Sequence, residues 1–105
     1  MLFRSFAALA AVAEHNCLKM HSLMWTSRPP VVYWNSATLA CLGAVRDLQN
    51  EGVAVFFTMD AGPQVKAICL PGDEARVRAA LAEVDGVQAL HCCGVGRGAE
   101  LLEVP

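Results

Sequence analysis

The run Thr58-Met59-Asp60-Ala61-Gly62-Pro63-Gln64-Val65-Lys66 carries the residues best suited to chemistry. Asp60 is a lone acid between an apolar run, Val53 to Met59, and a small-residue turn. An apolar run bounded by turn signals reads as a buried strand, so the carboxylate stands where a rigid strand ends. A strand end is a good place to hold a carboxylate still. Ala61 and Gly62 offer clearance and backbone N–H groups to a bound molecule, and Pro63 stiffens the turn. Lys66 reads as a solvated strand residue, with charge complementarity to a phosphorylated substrate as its second reading. Asn16 and His21 lie five residues apart on a helical pattern, about 140° around the axis. They cannot share a narrow face. A lone helical histidine is most simply structural, and the functional reading is that one of the two supports the Asp60 loop from behind.

Other constellations are missing. The five cysteines, Cys17, Cys41, Cys69, Cys92 and Cys93, are odd in number, lie in apolar surroundings and form no Cys-x-x-Cys pair. Zinc sites need such spacing, so they read as buried free thiols and no metal site is expected. No Ser-His-Asp or Cys-His spacing stands out. Trp25, Tyr33 and Trp34 read as packing around Pro29-Pro30. The segment Gly94-Val95-Gly96-Arg97-Gly98 is glycine-rich but runs into no helix, so it reads as a hairpin turn rather than a phosphate cradle.

With 105 residues, 55% of them hydrophobic, the chain is expected to form one domain with a real core. Its net charge of −2 and scattered basic residues give no field for nucleic acid. No apolar stretch reaches the ~18 residues of a membrane span. Leu2 to Val12 is interrupted by Arg4 and followed by Glu14, His15, Asn16 and Lys19, so it reads as helix rather than leader.

The elements that must hold Asp60 follow from periodicity. Phe6, Leu9, Ala10, Ala13, Cys17, Met20 and Met24 recur at three- and four-residue steps, one face of a helix from about Phe3 to Thr26. Pro29-Pro30 stops it. Asn35 or Ser36 caps a second helix with Leu39, Leu42, Val45 and Leu48 inward, and Gly52 ends it. Val53–Met59 and Val65–Leu70 form an antiparallel pair across the Asp60 loop. Asp73 caps a third helix, with Val77, Ala80, Leu81 and Val84 inward and Gly86 at its end. Val87–Cys93 and Ala99–Val104 read as two more strands, which makes His91 a strand residue. The expected fold is α+β in the order α-α-β-β-α-β-β, a two-layer antiparallel sheet with helices over one face.

The run around Asp60 resembles a signature of the diphosphomevalonate decarboxylases of the GHMP kinase superfamily, Thr-Met-Asp-Ala-Gly-Pro-Asn-Val-Lys, with Gln64 in place of Asn. Upstream, Asn16-x-x-x-Met20-His21, Arg28-Pro29-Pro30 and Tyr33-Trp34-Asn35 are similar to a family helix, Pro-Pro segment and aromatic-Asn pair. The resemblance covers roughly Phe6 to Leu102 and implies a GHMP C-terminal-domain fold. It implies Asp60 as the base that takes the proton of a tertiary hydroxyl before phosphorylation and loss of carbon dioxide, with Ala61 and Gly62 at the substrate. It further implies ATP with Mg²⁺, a cytoplasmic homodimer and isopentenyl diphosphate as product. The phosphate loop of the family's preceding domain is missing, so residues 1–105 are expected to be the C-terminal half of a two-domain enzyme, inactive alone. The alternatives are a phosphomevalonate decarboxylase, another GHMP-family kinase, or a free-standing, non-catalytic α+β binding module.

Overall fold

The computed structural model describes residues 2–103, with side chains from Ser5 onward. Helix α1 spans Leu2–Trp25, α2 Ser36–Asn50, strand β1 Val55–Thr58 and β2 Lys66–Cys69; a 3-10 turn at Pro71–Asp73 leads into α3, Glu74–Ala82. Helix α1 holds neither glycine nor proline. At its end the Thr26 and Ser27 hydroxyls donate to the carbonyls of Ser22 at 3.0 Å and Met24 at 2.8 Å, which satisfies acceptors the last turn leaves open.

Asn35 caps α2 in a reciprocal box with Thr38. At the far end Gly52 takes φ +89, the left-handed conformation that closes helices. Asp73 occupies the N-cap position of α3 but makes no side-chain cap bond, because the preceding 3-10 turn already fixes the entry. Helix α3 stops at Ala82, and Gly86, with φ +94, turns the chain beyond it. A Cβ at Gly86 would lie 2.9 Å from Cβ of Ala37, so the turn sits hard against the first turn of α2.

The strands pair antiparallel in the register Val55↔Cys69, Phe56↔Ile68, Phe57↔Ala67 and Thr58↔Lys66. Val55 and Phe57 join Cys17 of α1, Cys41, Val45 and Leu48 of α2, and Val77 and Leu81 of α3 in one core. The shared core thus lies against one face of the hairpin, and α1 also reaches the other. Strand alternation sends Phe56 to the other face, where Phe6 of α1 stacks on it at 5.3 Å. Complete burial of Phe56, Phe57 and Met59 contributes roughly 1.5–3 kcal/mol each.

Three expectations need correction. First, the inward faces are rotated. Leu9 and Met20 of α1 and Leu39 of α2 are exposed, while Glu14, His21 and Thr38 are buried. Each of these polar residues has a partner in the interior, so hydrophobicity alone misplaces the stripe. Second, Val87–Cys93 and Ala99–Glu103 form no strands, and His91 is not in one; Val104 lies outside the described residues. A strand exists through pairing, and the described sheet has two strands only. An isolated hairpin with three glycines in its turn is marginal in water, and Val95, Leu101 and Leu102 lie uncovered. Third, only Cys17 and Cys41 are buried; Cys92 and Cys93 lie exposed on the segment that lacks strands.

Candidate active site

Asp60 follows the strand end by two residues, and the loop behind it is held from three sides. Met59 is inserted in the core, and its carbonyl accepts from the Cys17 thiol of α1 at 3.8 Å. Burial pushes the Cys17 thiol up from its ordinary value, which keeps it a protonated donor. On the other side Thr38 Oγ1 donates to the Pro63 carbonyl at 2.9 Å. The same oxygen accepts from the Asn35 backbone at 3.3 Å, so the start of α2 and the loop share one hydroxyl. Between these anchors Gly62 adopts φ +98. A Cβ there would lie 2.9 Å from Met59 Sδ and 3.3 Å from Tyr33 Cβ. Only glycine satisfies both the conformation and the contact.

The clearance expected at Gly62 is therefore filled by the protein's own Met59 and Tyr33. Among the described residues no backbone carbonyl takes the N–H of Ala61 or Gly62, so the loop keeps two donors available to a bound oxygen atom. The Asp60 side chain is 86% exposed. Lys66 Nζ donates to its Oδ2 at 2.6 Å, and that hydrogen bond and charge hold the Asp60 carboxyl below the usual carboxylate range. Asp60 is thus ionised at neutral pH, with Oδ1 free to receive a proton.

His21 is fully buried, and its Nδ1 accepts from Trp34 Nε1 at 3.0 Å. Its Nε2 is buried and has no hydrogen-bond partner among the described residues. Trp25 meets Trp34 edge-on at 4.8 Å, so the tryptophans pack as expected. His21 stands one turn beyond Cys17, behind the residues that lead into α2. Asn16 lies on the exposed side of α1, in a shallow depression with Ala11, Val12, His15 and Lys19. No hydrogen bond among the described residues joins it to the Asp60 loop. The structure thus separates the two candidates, one buried against Trp34 and one at the surface.

Sequence reading missed Thr38 and the Asp60–Lys66 pair. The cap pattern Asn35-Ser36-Ala37-Thr38 signals the first turn of α2, but the reach to Pro63 is tertiary. The Thr58↔Lys66 register, combined with the two-residue step to Asp60, could have suggested the second. Among the described residues no group of three His, Cys, Asp or Glu side chains converges as a metal site. Gly94–Gly98 has no regular structure and leads into no helix.

The hairpin and its three helices define a small α+β fold with a carboxylate at the hairpin tip. Residues 1–98 match the family described as mevalonate 5-diphosphate decarboxylase C-terminal domain, and the chain belongs to that family. It is 36% identical over 99 residues to a phosphomevalonate decarboxylase of Haloferax volcanii, covering 93% of this chain and 30% of that protein. The mevalonate pyrophosphate decarboxylase of Streptococcus pyogenes superposes with TM-score 0.71 at 38% identity, over 76% of this chain and 25% of that one. A structure of MDDEF in complex with MVAPP, AMPPCP and magnesium gives TM-score 0.72 at 32% identity, over 76% and 24%. The chain thus spans between a quarter and a third of the length of these relatives.

Proposed function

We propose that the chain is the C-terminal, base-bearing part of an ATP-dependent decarboxylase that converts 5-diphosphomevalonate to isopentenyl diphosphate. The observation that carries this reading is Asp60, an exposed, ionised carboxylate on a loop clamped from two helices. In the proposed reaction Oδ1 of Asp60 takes the proton of the substrate's tertiary hydroxyl. The free N–H groups of Ala61 and Gly62 face the same substrate, and His21 supports the loop from behind. An aspartate is a weak base for such an alcohol, so alignment must supply much of the rate.

ATP with Mg²⁺ would supply the phosphoryl group whose transfer to the hydroxyl oxygen makes that oxygen a leaving group. The described residues do not fit that pair, because they offer neither a glycine-rich loop entering a helix nor converging acids. Its seat is assigned to residues outside this domain. A second reading is specifically favoured by the Haloferax volcanii relative: a monophosphate substrate.

The test uses a chimera in which this chain replaces the matching residues of the Streptococcus pyogenes enzyme. ATP-dependent carbon dioxide release is measured with the mono- and diphosphate substrates. Turnover lost on Asp60→Asn supports the reading; undiminished turnover in that variant overturns it.

A further inference from the structure

We propose that Lys66 is a positioning residue for Asp60: its ammonium fixes the direction of the carboxylate and its protonation state. The inference rests on the proposed role of Asp60 as the base and adds to it a partner that the reading of Lys66 as a free solvated cation does not contain. Three observations carry it. The register pairs Lys66 with Thr58, which sets its side chain on the hairpin face toward the strand end where Asp60 follows. Lys66 Nζ lies 2.6 Å from Oδ2, a charge-assisted hydrogen bond at the short end of its range. Every other contact of the loop, through Met59, Gly62 and Pro63, is to backbone or to the core. The three clamps therefore fix the chain but leave the Asp60 side chain to rotate, and among the described residues Lys66 is the group that hydrogen-bonds it.

The chemical consequence is a division of labour between two oxygens. Oδ2 carries the ammonium, so Oδ1 is the oxygen left without a partner among the described residues and is the one proposed to receive the hydroxyl proton. The O–H bond of the substrate breaks as the Oδ1–H bond forms, and the resulting carboxylic acid keeps its hydrogen bond from Lys66. The charges that face Asp60 are few. Lys66 acts from β2, and on the α1 side the neighbouring titratable group is the Cys17 thiol, which burial keeps neutral.

The pairing is read directly by following the Asp60 carboxyl carbon by NMR in the 105-residue chain, with the signal assigned by its loss in Asp60→Asn. The expected result is that Lys66→Met moves the titration midpoint to higher pH while Lys66→Arg leaves it near wild type. Potassium chloride at 1 M, where screening acts over about 3 Å, should raise the midpoint in the wild type but not in Lys66→Met. A midpoint unmoved by both Lys66→Met and salt overturns the proposal. In the chimera Lys66→Met should lower kcat by on the order of ten- to a hundredfold with little change in KM, and should shift the acid limb of the kcat profile upward in pH. Restoration by Lys66→Arg is expected. If Asp60→Asn were fully active the role of Asp60 as base would fail, yet the titration would still decide whether Lys66 governs its carboxyl.

Discussion

At the scale of single residues, Asp60 and Thr38 do opposite things. Asp60 touches nothing in the core, so Asp60→Asn in the chimera should lower kcat by roughly 10²–10⁴-fold. The thermal midpoint should hardly move, because surface changes cost under about 0.5 kcal/mol. A large fall in midpoint with a proportionate loss of activity would make Asp60 a structural residue instead. The pH dependence has a definite sign. Lys66 depresses the Asp60 carboxyl in the folded state, so any stability it lends is present above the unfolded value and is lost as pH falls through the folded one. With Asp60 open to solvent that contribution is small, and the effect belongs to the acid limb of activity. Thr38→Val keeps the shape but removes the hydroxyl shared by the α2 cap and Pro63. It should cost about 1–2 kcal/mol in urea unfolding and lower kcat as well. The place of Asp60 at a strand-end turn was legible in the sequence, because an apolar run and a Gly-Pro turn bound it; its role as a base is implied by the resemblance alone. Thr38 was not, since its importance lies in a contact twenty-five residues away.

At the scale of elements, the two long helices are fastened together by a polar network rather than by hydrocarbon. Glu14 of α1, buried, takes Gln49 Nε2 at 2.6 Å and Arg46 at 3.1 Å from α2. Gln49 also donates to the Val55 carbonyl at 2.8 Å, and Arg46 lies over the Phe57 ring at 5.8 Å. Glu14→Ala would remove the acceptor shared by Gln49 and the half-exposed Arg46, so a loss of about 1–2 kcal/mol is expected by urea unfolding. Glu14→Gln, which keeps an acceptor, should cost less. This network explains why periodicity located α1 and α2 but turned α1 on its axis: an apolar count gives a glutamate and a histidine no place inside. The hairpin strands and α3 were legible, because turn signals bound short apolar runs. The last two strands were read as segments flanking the Gly94–Gly98 turn, and such a local pattern cannot supply the neighbouring strand that a sheet requires.

For the whole molecule, the uncovered apolar residues matter most. Leu9, Val12 and Leu23 on α1 and Val31 and Val32 beyond it are exposed. Contiguous apolar patches of more than a few hundred Å² favour association. Sedimentation of the 105-residue chain should therefore show concentration-dependent self-association; a clean monomer at high concentration would count against this. The same chain should release no carbon dioxide from ATP and diphosphomevalonate, since its described residues do not seat the nucleotide. Robust turnover by it would overturn that expectation. The exposed Cys92 and Cys93 should react with a thiol reagent in the native state, whereas Cys17 and Cys41, buried and raised from their ordinary values, should react only on unfolding.

Helix α2 also works as a lever. Its fifteen residues make a rod of ~22 Å. One end is tied by Gln49 to the start of β1 and by the Glu51–Arg76 pair to α3, while the other grips the Pro63 carbonyl through Thr38. A tilt of about 3° pivoting at the tied end displaces the gripping end by roughly 1 Å. A misplacement of that size at reacting atoms can cost about a hundredfold in rate. Small changes in how α2 seats on the sheet, made far from the carboxylate, thus reach the Asp60 loop amplified by the length of the rod.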